Sequence, residues 1–490
     1  MPNSPSHADG SDHTGLWSPG RRALTIGLVL SVTMVASEAL AVTTIMPIVA
    51  NDLAALNRDL YGWVFSGFVL ASLVGIVLAG LLIDRGSLVR PFLLGLALFA
   101  AGLVVGGFAP SMEILVAGRV LQGLGAGAIP AVAYVSIGRA LPEALRPRMF
   151  ATLSTAWVLP GVIGPALAGI VAEQLHWRVV FLGLLPLIAV AAALTLPALA
   201  AVRPAATNDD GSPRHLSATP RRLGFAVLLA VGAGMAVAGL TDAQAFPGLV
   251  LIVAGIAIGV PAFARLTPAG TLRLAPGLPS AVLLRGFLTF VFFSADAYVP
   301  LALEDWRHTS ATEAGLALTA ATLSWTLGAW TQARWIARFG APPFVRAGFA
   351  VAGLGVLGFT AVLSPAVPIP IGVLAWAVAG LGMGLAYSPL SLIVLREAPP
   401  ESQGAATAGL QLSDVLGTSL GAGVGGALIA LGHRQGAELW VGLAWAFAIG
   451  AVVAAVGFVL AGRVRPRVQS FESATLVRPA EAGQRSEPTG

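Results

Sequence analysis

Leu115 to Gly127 reads LVAGRVLQGLGAG, an apolar and glycine-rich stretch interrupted by a single arginine, Arg119. The residues on either side continue the pattern, so the run near 113–138 has the length and composition of a membrane-spanning helix. A guanidinium in hydrocarbon costs roughly 2.5–3.5 kcal/mol even on the lenient insertion scale, and it is kept there by a buried partner or a watery cavity. This stretch therefore points to a bundle of membrane helices and leaves two questions: what partners Arg119, and what moves past it.

The rest of the chain agrees. Of its 490 residues 56% are hydrophobic and only 10% charged. The mean hydropathy of +0.84 is that of a polytopic membrane protein. The formal charge of +5 comes from arginines scattered through short loops, with no basic face for nucleic acid. All 28 basic residues are arginine, which a GC-rich genome accounts for without any function. There is no cysteine, hence no disulfide or thiol chemistry, and the six histidines show no metal-ligand spacing. No signal-peptide apolar region precedes Arg21 and Arg22, so the first span is expected to be retained.

Apolar runs of about twenty residues, enough to cross a bilayer core, fall near 23–50, 61–83, 91–109, 113–138, 148–172 and 178–202. A polar loop over 203–222 follows, then two shorter runs at 223–241 and 246–264 joined by a tight turn at 241–244. A second block lies near 279–303, 312–338, 343–364, 367–395, 402–431 and 438–462. The expectation is fourteen spans arranged six, two, six. The domains then run as a polar N-terminal tail (1–20), a first six-helix bundle (21–202), a loop with two inserted spans (203–278), a second bundle (279–462) and a polar C-terminal tail (463–490). With the N-terminus inside, cytoplasmic segments hold 22 arginines, outer loops four and spans two, so both ends are expected in the cytoplasm. A shift of 257 residues lays Ala156-Trp157-Val158-Leu159 on Ser413-Asp414-Val415-Leu416 and Gly164 and Gly169 on Gly421 and Gly426, the pattern of a transporter built from repeats.

Besides Arg119, the ionisable residues deep in spans are Glu38, Asp296 and Asp414. A carboxyl that changes its hydration, or its distance from Arg119, in a conformational cycle can load and release a proton; a fixed Glu38–Arg119 pair would only weld two spans together. Asp296 is a candidate second proton site, and Asp414 either couples protons or lines the cavity. Arg285 lies near a cytoplasmic end and is expected to snorkel to the interface. Gly161, Gly164, Pro165 and Gly169 thin one face of the fifth span for close contact and a kink, and Trp157 faces substrate or lipid. Asp84, Arg85 and Arg90 sit at the turn between the second and third spans, where the acid can latch onto a helix N-terminus or basic group of the other half.

Together these residues resemble the major facilitator superfamily, and more narrowly its fourteen-span drug:proton antiporter branch, over roughly residues 20 to 465. Leu115, Arg119, Gln122, Gly123 and Gly125 resemble the fourth-span motif that the family links to proton coupling. Glu38 to Pro47 resembles the first-span motif, with glutamate in place of the usual aspartate, and Trp177-Arg178 with Phe181 and Pro186 resembles the start of the sixth span. Asp84 and Arg85 match the loop motif, and Gly164-Pro165 with Gly169 the fifth-span antiporter motif. The resemblance implies an all-α major-facilitator-type fold of two six-helix bundles with two extra spans between them, in the plasma (inner) membrane. It implies a monomeric, non-enzymatic exporter of drugs or amphiphilic small molecules, driven by the proton gradient, with no cofactor and no metal. Glu38, Arg119, Asp296 and Asp414 would carry coupling; Gln122, Trp157 and Tyr298 would line the cavity among membrane lipid. A lipid or lipid-conjugate exporter, opening laterally at 223–264, and a non-transporting receptor or scaffold are the alternatives; retention of both Glu38 and Arg119 argues against the latter.

Overall fold

The computed structural model describes residues 15–53, 60–202, 219–241 and 245–465. Most of both expected tails, the loop over 203–218 and the turn at 242–244 lie outside the described residues. Among the described residues there is no strand. Backbone in hydrocarbon has to satisfy its own N–H and C=O groups, and the helix does this within one segment.

The first half comprises α1 (Arg22–Leu53), α2 (Tyr61–Asp84), α3 (Val89–Gly107), α4 (Met112–Ala140), α5 (Arg146–Thr155), α6 (Val158–Val171), α7 (Trp177–Leu182) and α8 (Leu185–Ala200). An insert of α9 (Thr219–Thr241) and α10 (Ala245–Leu266) leads to the second half. That half is α11 (Leu278–Asp296), α12 (Ala311–Phe339), α13 (Ala341–Thr360), α14 (Ile369–Glu397), α15 (Gln403–Arg434) and α16 (Leu439–Leu460). Twelve stretches among the described residues are long and apolar enough to cross a membrane, against the fourteen expected. One of the twelve, Glu143–Ala200, is 58 residues long; α12, which carries Gln332 and Arg334, is not among them.

The expected repeat is visible in the packing. In the first half α4 packs against α2 and α3, α1 against α6 and α8, and α3 against α7 and α8; in the second, α14 packs against α12 and α13, α11 against α15 and α16, and α13 against α16. The tightest contacts rest on glycines displaced by the same 257 residues. On α4, Gly123 and Gly127 meet the α2 carbonyls of Phe68 and Ser72, and Gly125 meets Gly95 and Phe99 of α3. On α14, Gly380 and Gly384 meet the α12 carbonyls of Ala321 and Trp325, and Gly382 meets Ala352 of α13. A methyl group at these positions would strike backbone, which cannot move aside. Gly384→Ala is therefore expected to destabilise the purified protein by about 1–3 kcal/mol. Gly169→Ala, with nothing within 4 Å of the new carbon, is expected to shift thermal unfolding by no more than about 0.5 kcal/mol.

The two halves meet where α2 and α4 end and α15 begins. Gly80 lies against Gly404 and Ala408, Gly138 against Leu395, and Ala151 against Ala329 and Ala333. The insert covers one side of this seam. Ala226, Leu229 and Ala233 of α9 share one apolar cluster with Leu73 and Val77 of α2 and with Ala408 and Leu412 of α15. The insert therefore packs against both halves through α9.

Candidate functional site

Glu38 stands midway along α1 and is 1% exposed; Arg119, 3% exposed, reaches it from α4. Arg119 Nη1 pairs with Glu38 Oε1 and donates to Gln122 Oε1, and Nε donates to the Val64 carbonyl at 3.0 Å. The guanidinium plane covers the Phe68 ring at 4.2 Å. The sequence builds this cage locally. Gln122 follows Arg119 by three residues and so shares its helix face, while Gly118 and Gly123 remove the side chains that would hold α4 away from α3 and α2. Desolvating two charges is repaid only when their remaining hydrogen-bond sites are filled. Two are not: Glu38 Oε2 and Gln122 Nε2 are buried with no partner among the described residues. Gln122, expected to line the cavity, is instead fully buried and holds Arg119 in place.

A second buried pair lies in the other half, where the sequence pointed to none. Arg285, expected to snorkel, has no exposed surface, and its Nε lies 3.2 Å from Asp414 Oδ1. Its Nη1 donates to the Tyr387 carbonyl and its Nη2 to Ser391 Oγ at 3.0 Å, and the guanidinium caps the Tyr387 ring at 3.2 Å. The Tyr387 hydroxyl donates to Asp414 Oδ2 at 2.9 Å. Tyr387 and Ser391, one turn apart on α14, form the wall that keeps Arg285 from reaching the interface. Tyr134 of α4 brings its hydroxyl to Arg285 and Tyr387 from the first half.

Asp296 closes α11 beside the Trp376 indole and has no ion-pair partner among the described residues; it does not join Arg119. Trp376 occupies the position 257 residues after Arg119, so the second half sets an aromatic against its acid where the first half sets a cation. Tyr298, expected in the central cavity, packs on Gly425 and Gly426 of α15 and donates to the Ala422 carbonyl at 2.5 Å. It lines a cavity of about 390 Å³ with Leu301, Ile429 and His433, wholly within the second half.

At the closed end Asp84 accepts from the Gly404 and Ala405 amides at 2.7 and 2.9 Å, capping the free N–H groups that open α15. The turn that follows uses Gly86 at φ 104°, a conformation glycine adopts without strain. Arg85 and Arg90 are exposed there, and the basic residue that supports the latch is Arg139, 3.4 Å from Gln403 Oε1 and from the Ile83 and Gly86 carbonyls. The exposed Glu143–Arg396 pair, at 3.5 Å, adds a second but weak tie. At the opposite end of α1, Asp52 accepts from the Trp177 indole at 2.7 Å and pairs with Arg178 at 3.2 Å, which gives the Trp177-Arg178 dipeptide a structural role.

The fifth passage bends at Ala156–Trp157, because Pro160 leaves the Ala156 carbonyl without its helical donor. A methyl group added at Gly161 would sit at ordinary contact distance, 3.6 Å, from Thr322 of α12, one at Gly164 would meet only Pro160 of its own helix, one at Gly169 would meet nothing, and Pro165 lies within a continuous α6. The close packing expected of these glycines is thus absent at all three. Trp157, one turn before Gly161, is 45% exposed.

Two repeated bundles of membrane-length helices, each holding an arginine–carboxylate pair in its interior, define a polytopic membrane protein. The chain belongs to the major facilitator superfamily, whose model matches residues 24–301 and 281–481, and with that family it is a transporter and not an enzyme. It is 28% identical over 450 residues to a protein named as a probable multidrug-efflux transporter of Mycobacterium tuberculosis, a match covering 86% of this chain and 90% of the relative. Among solved structures it shares its fold with the human organic anion transporter MFSD10 (TM-score 0.68, 14% identity, 90% of this chain and 99% of that one). A proton:xylose symporter is similar to the same degree (TM-score 0.65, 14% identity, 91% and 96%).

Proposed function

We propose that the protein is a proton-driven antiporter that exports drugs or amphiphilic small molecules by alternating access. The observation that carries the reading is the Glu38–Arg119 pair. A buried carboxylate with an orphaned second oxygen has room for a proton there, and Arg119 makes enough other contacts to stay in place when Glu38 is neutralised. The mycobacterial relative, by its name an efflux protein, supports the direction of transport. No cofactor enters the cycle, which draws on the proton gradient. Its other partners are the amphiphilic substrate and membrane lipid, and the protein acts as a monomer.

The fourteen-span branch follows if Glu143–Ala200 crosses twice and α12 crosses once. At 58 residues the first is about twice what one crossing needs, and it turns at His176, whose backbone is extended. The insert then adds two spans, and both termini lie in the cytoplasm of a plasma-membrane protein. In that orientation the closed end is cytoplasmic, so the molecule faces outward.

The test is a preset pH gradient across inverted vesicles, acid inside. Addition of an amphiphilic dye is expected to collapse it, and a gradient that persists during dye uptake would overturn antiport. Asp84→Ala removes two charge-assisted bonds from the latch. At about 1.5 kcal/mol or more each, their loss is expected to shift the resting population toward the inward-facing state by tenfold or more. In a chain without native cysteine, a reporter thiol behind the Gly80–Gly404 contact reads this as faster labelling from the cytoplasmic side.

A further inference from the structure

The insert carries arginines that face two ways. On α9, Arg222 shares a helix face with Ala226, Leu229 and Ala233, which pack on the seam. Its Nη2 donates to the Leu266 carbonyl at 3.4 Å, tying α9 to the end of α10, and its charge acts on Asp84 of the latch. Arg221, one residue earlier, is turned about 100° away from that face and is exposed. Its guanidinium stands 5.7 Å from the centre of the Phe225 ring, and that of Arg265, exposed in the last turn of α10, stands 5.9 Å from the same ring. A ring face holds a guanidinium without using its N–H donors. Neither arginine has an acidic partner among the described residues.

Along the span from these two cations the surface is apolar. Leu228 follows Arg221 by seven residues and Ile258 precedes Arg265 by seven, so each lies two turns deeper on the face of its arginine. Leu228 is exposed and Ile258 half-buried. Two cations at one end of a membrane-length helix pair, above an apolar strip, match the amphipathy of a phospholipid, whose phosphate lies level with the helix ends and whose chains run beside them. A headgroup with its own ammonium would set a third cation beside the two, so a net-anionic headgroup is favoured.

We infer that Arg221 and Arg265, seated on Phe225, bind the headgroup of an anionic phospholipid, and that the bound lipid keeps α9 on the seam beside the Asp84 latch. That this lipid belongs to the cytoplasmic leaflet rests on the orientation proposed above. Two adjacent residues join lipid to latch: Arg221 holds the headgroup, and Arg222 carries the position of α9 to Asp84 and to the end of α10.

The experiment measures equilibrium binding of pyrene-labelled phosphatidylglycerol and phosphatidylcholine to the full-length protein in mixed detergent micelles, with neither gradient nor drug. An arginine beside an anionic headgroup contributes about fivefold, so the protein is expected to prefer phosphatidylglycerol by about tenfold or more. Arg221→Gln/Arg265→Gln, two exposed changes that leave the fold in place, is expected to bring the preference below about twofold, and Arg221→Lys/Arg265→Lys to keep most of it. A preference that survives in the glutamine variant overturns the site, as does inorganic phosphate that displaces the labelled lipid at millimolar concentration and so makes it a site for a free anion. Protein that shows no preference, and gains one on Asp209→Asn/Asp210→Asn, gives the arginines to the acids of its own 203–218 loop instead of to lipid. The seating of α9 is read by the reporter thiol behind the Gly80–Gly404 contact. In phosphatidylglycerol nanodiscs its labelling from the cytoplasmic side is expected to be about threefold slower than in phosphatidylcholine, a slowing lost in the glutamine variant, and equal rates in the two lipids overturn that step. Protein that selects phosphatidylglycerol yet collapses no pH gradient keeps the site and loses antiport, whereas antiport without lipid selectivity loses the site alone.

Discussion

Glu38→Gln is expected to reduce gradient-driven export to the level of vesicles lacking the protein while the chain still inserts and folds. Glutamine keeps the size of the side chain and an oxygen for Arg119 Nη1, but it cannot take up and release a proton. The loss is read as the disappearance of substrate-dependent collapse of a preset pH gradient, with a monodisperse gel-filtration profile as the folding control. Glu38→Asp, one methylene shorter, is expected to retain part of the activity. Undiminished export by the glutamine variant would remove Glu38 from coupling and leave it as a structural pair.

The second large effect separates those two roles by stability. Arg119→Met leaves the buried Glu38 carboxyl with no other cation in reach among the described residues, and is expected to destabilise the protein in thermal unfolding in detergent, by up to about 3–5 kcal/mol where the carboxyl stays charged and by less where it takes up a proton. Removing both charges in Glu38→Leu/Arg119→Met lifts the desolvation penalty, so the double variant is expected to match the parent or exceed it by about 1–4 kcal/mol. If the pair were a weld, this stable double variant would still export. If it couples protons, the protein is well folded and inactive, and that combination is the expected outcome.

The Glu38–Arg119 pair was legible because a charge in an apolar run must be compensated, and few candidates existed. Gln122 was misplaced although its three-residue spacing from Arg119 already put both on one face; only the rotation of α4 toward α2 was missing. Arg285 was misread for a different reason. Seven residues into α11 a guanidinium has interface within reach, and what seals it is a wall from α14 and a partner on α15, more than a hundred residues away in sequence. The latch was half legible: Asp84 was readable as an acid seeking a helix N-terminus, but Gly404 and Ala405 offer only backbone, which no residue type announces. The fifth-span glycines show the reverse error, since small residues permit a close approach without causing one, and at Gly169 nothing comes near.

The glycine contacts of α4 and α14 bear on how force passes through the protein. Where glycine meets a carbonyl directly, as at Gly123 with Phe68 and at Gly384 with Trp325, two helices touch through backbone, with no side chain between them to rotate or compress. Each half then behaves as a stiff strut. The joint between the halves is made of softer parts: one carboxylate on two amides, an arginine at the limit of hydrogen-bond reach, and alanine against alanine. If Glu38 couples protons as proposed, a displacement that starts there would find little to bend inside its own half and would be taken up at that more compliant seam, at the ends of α2 and α4.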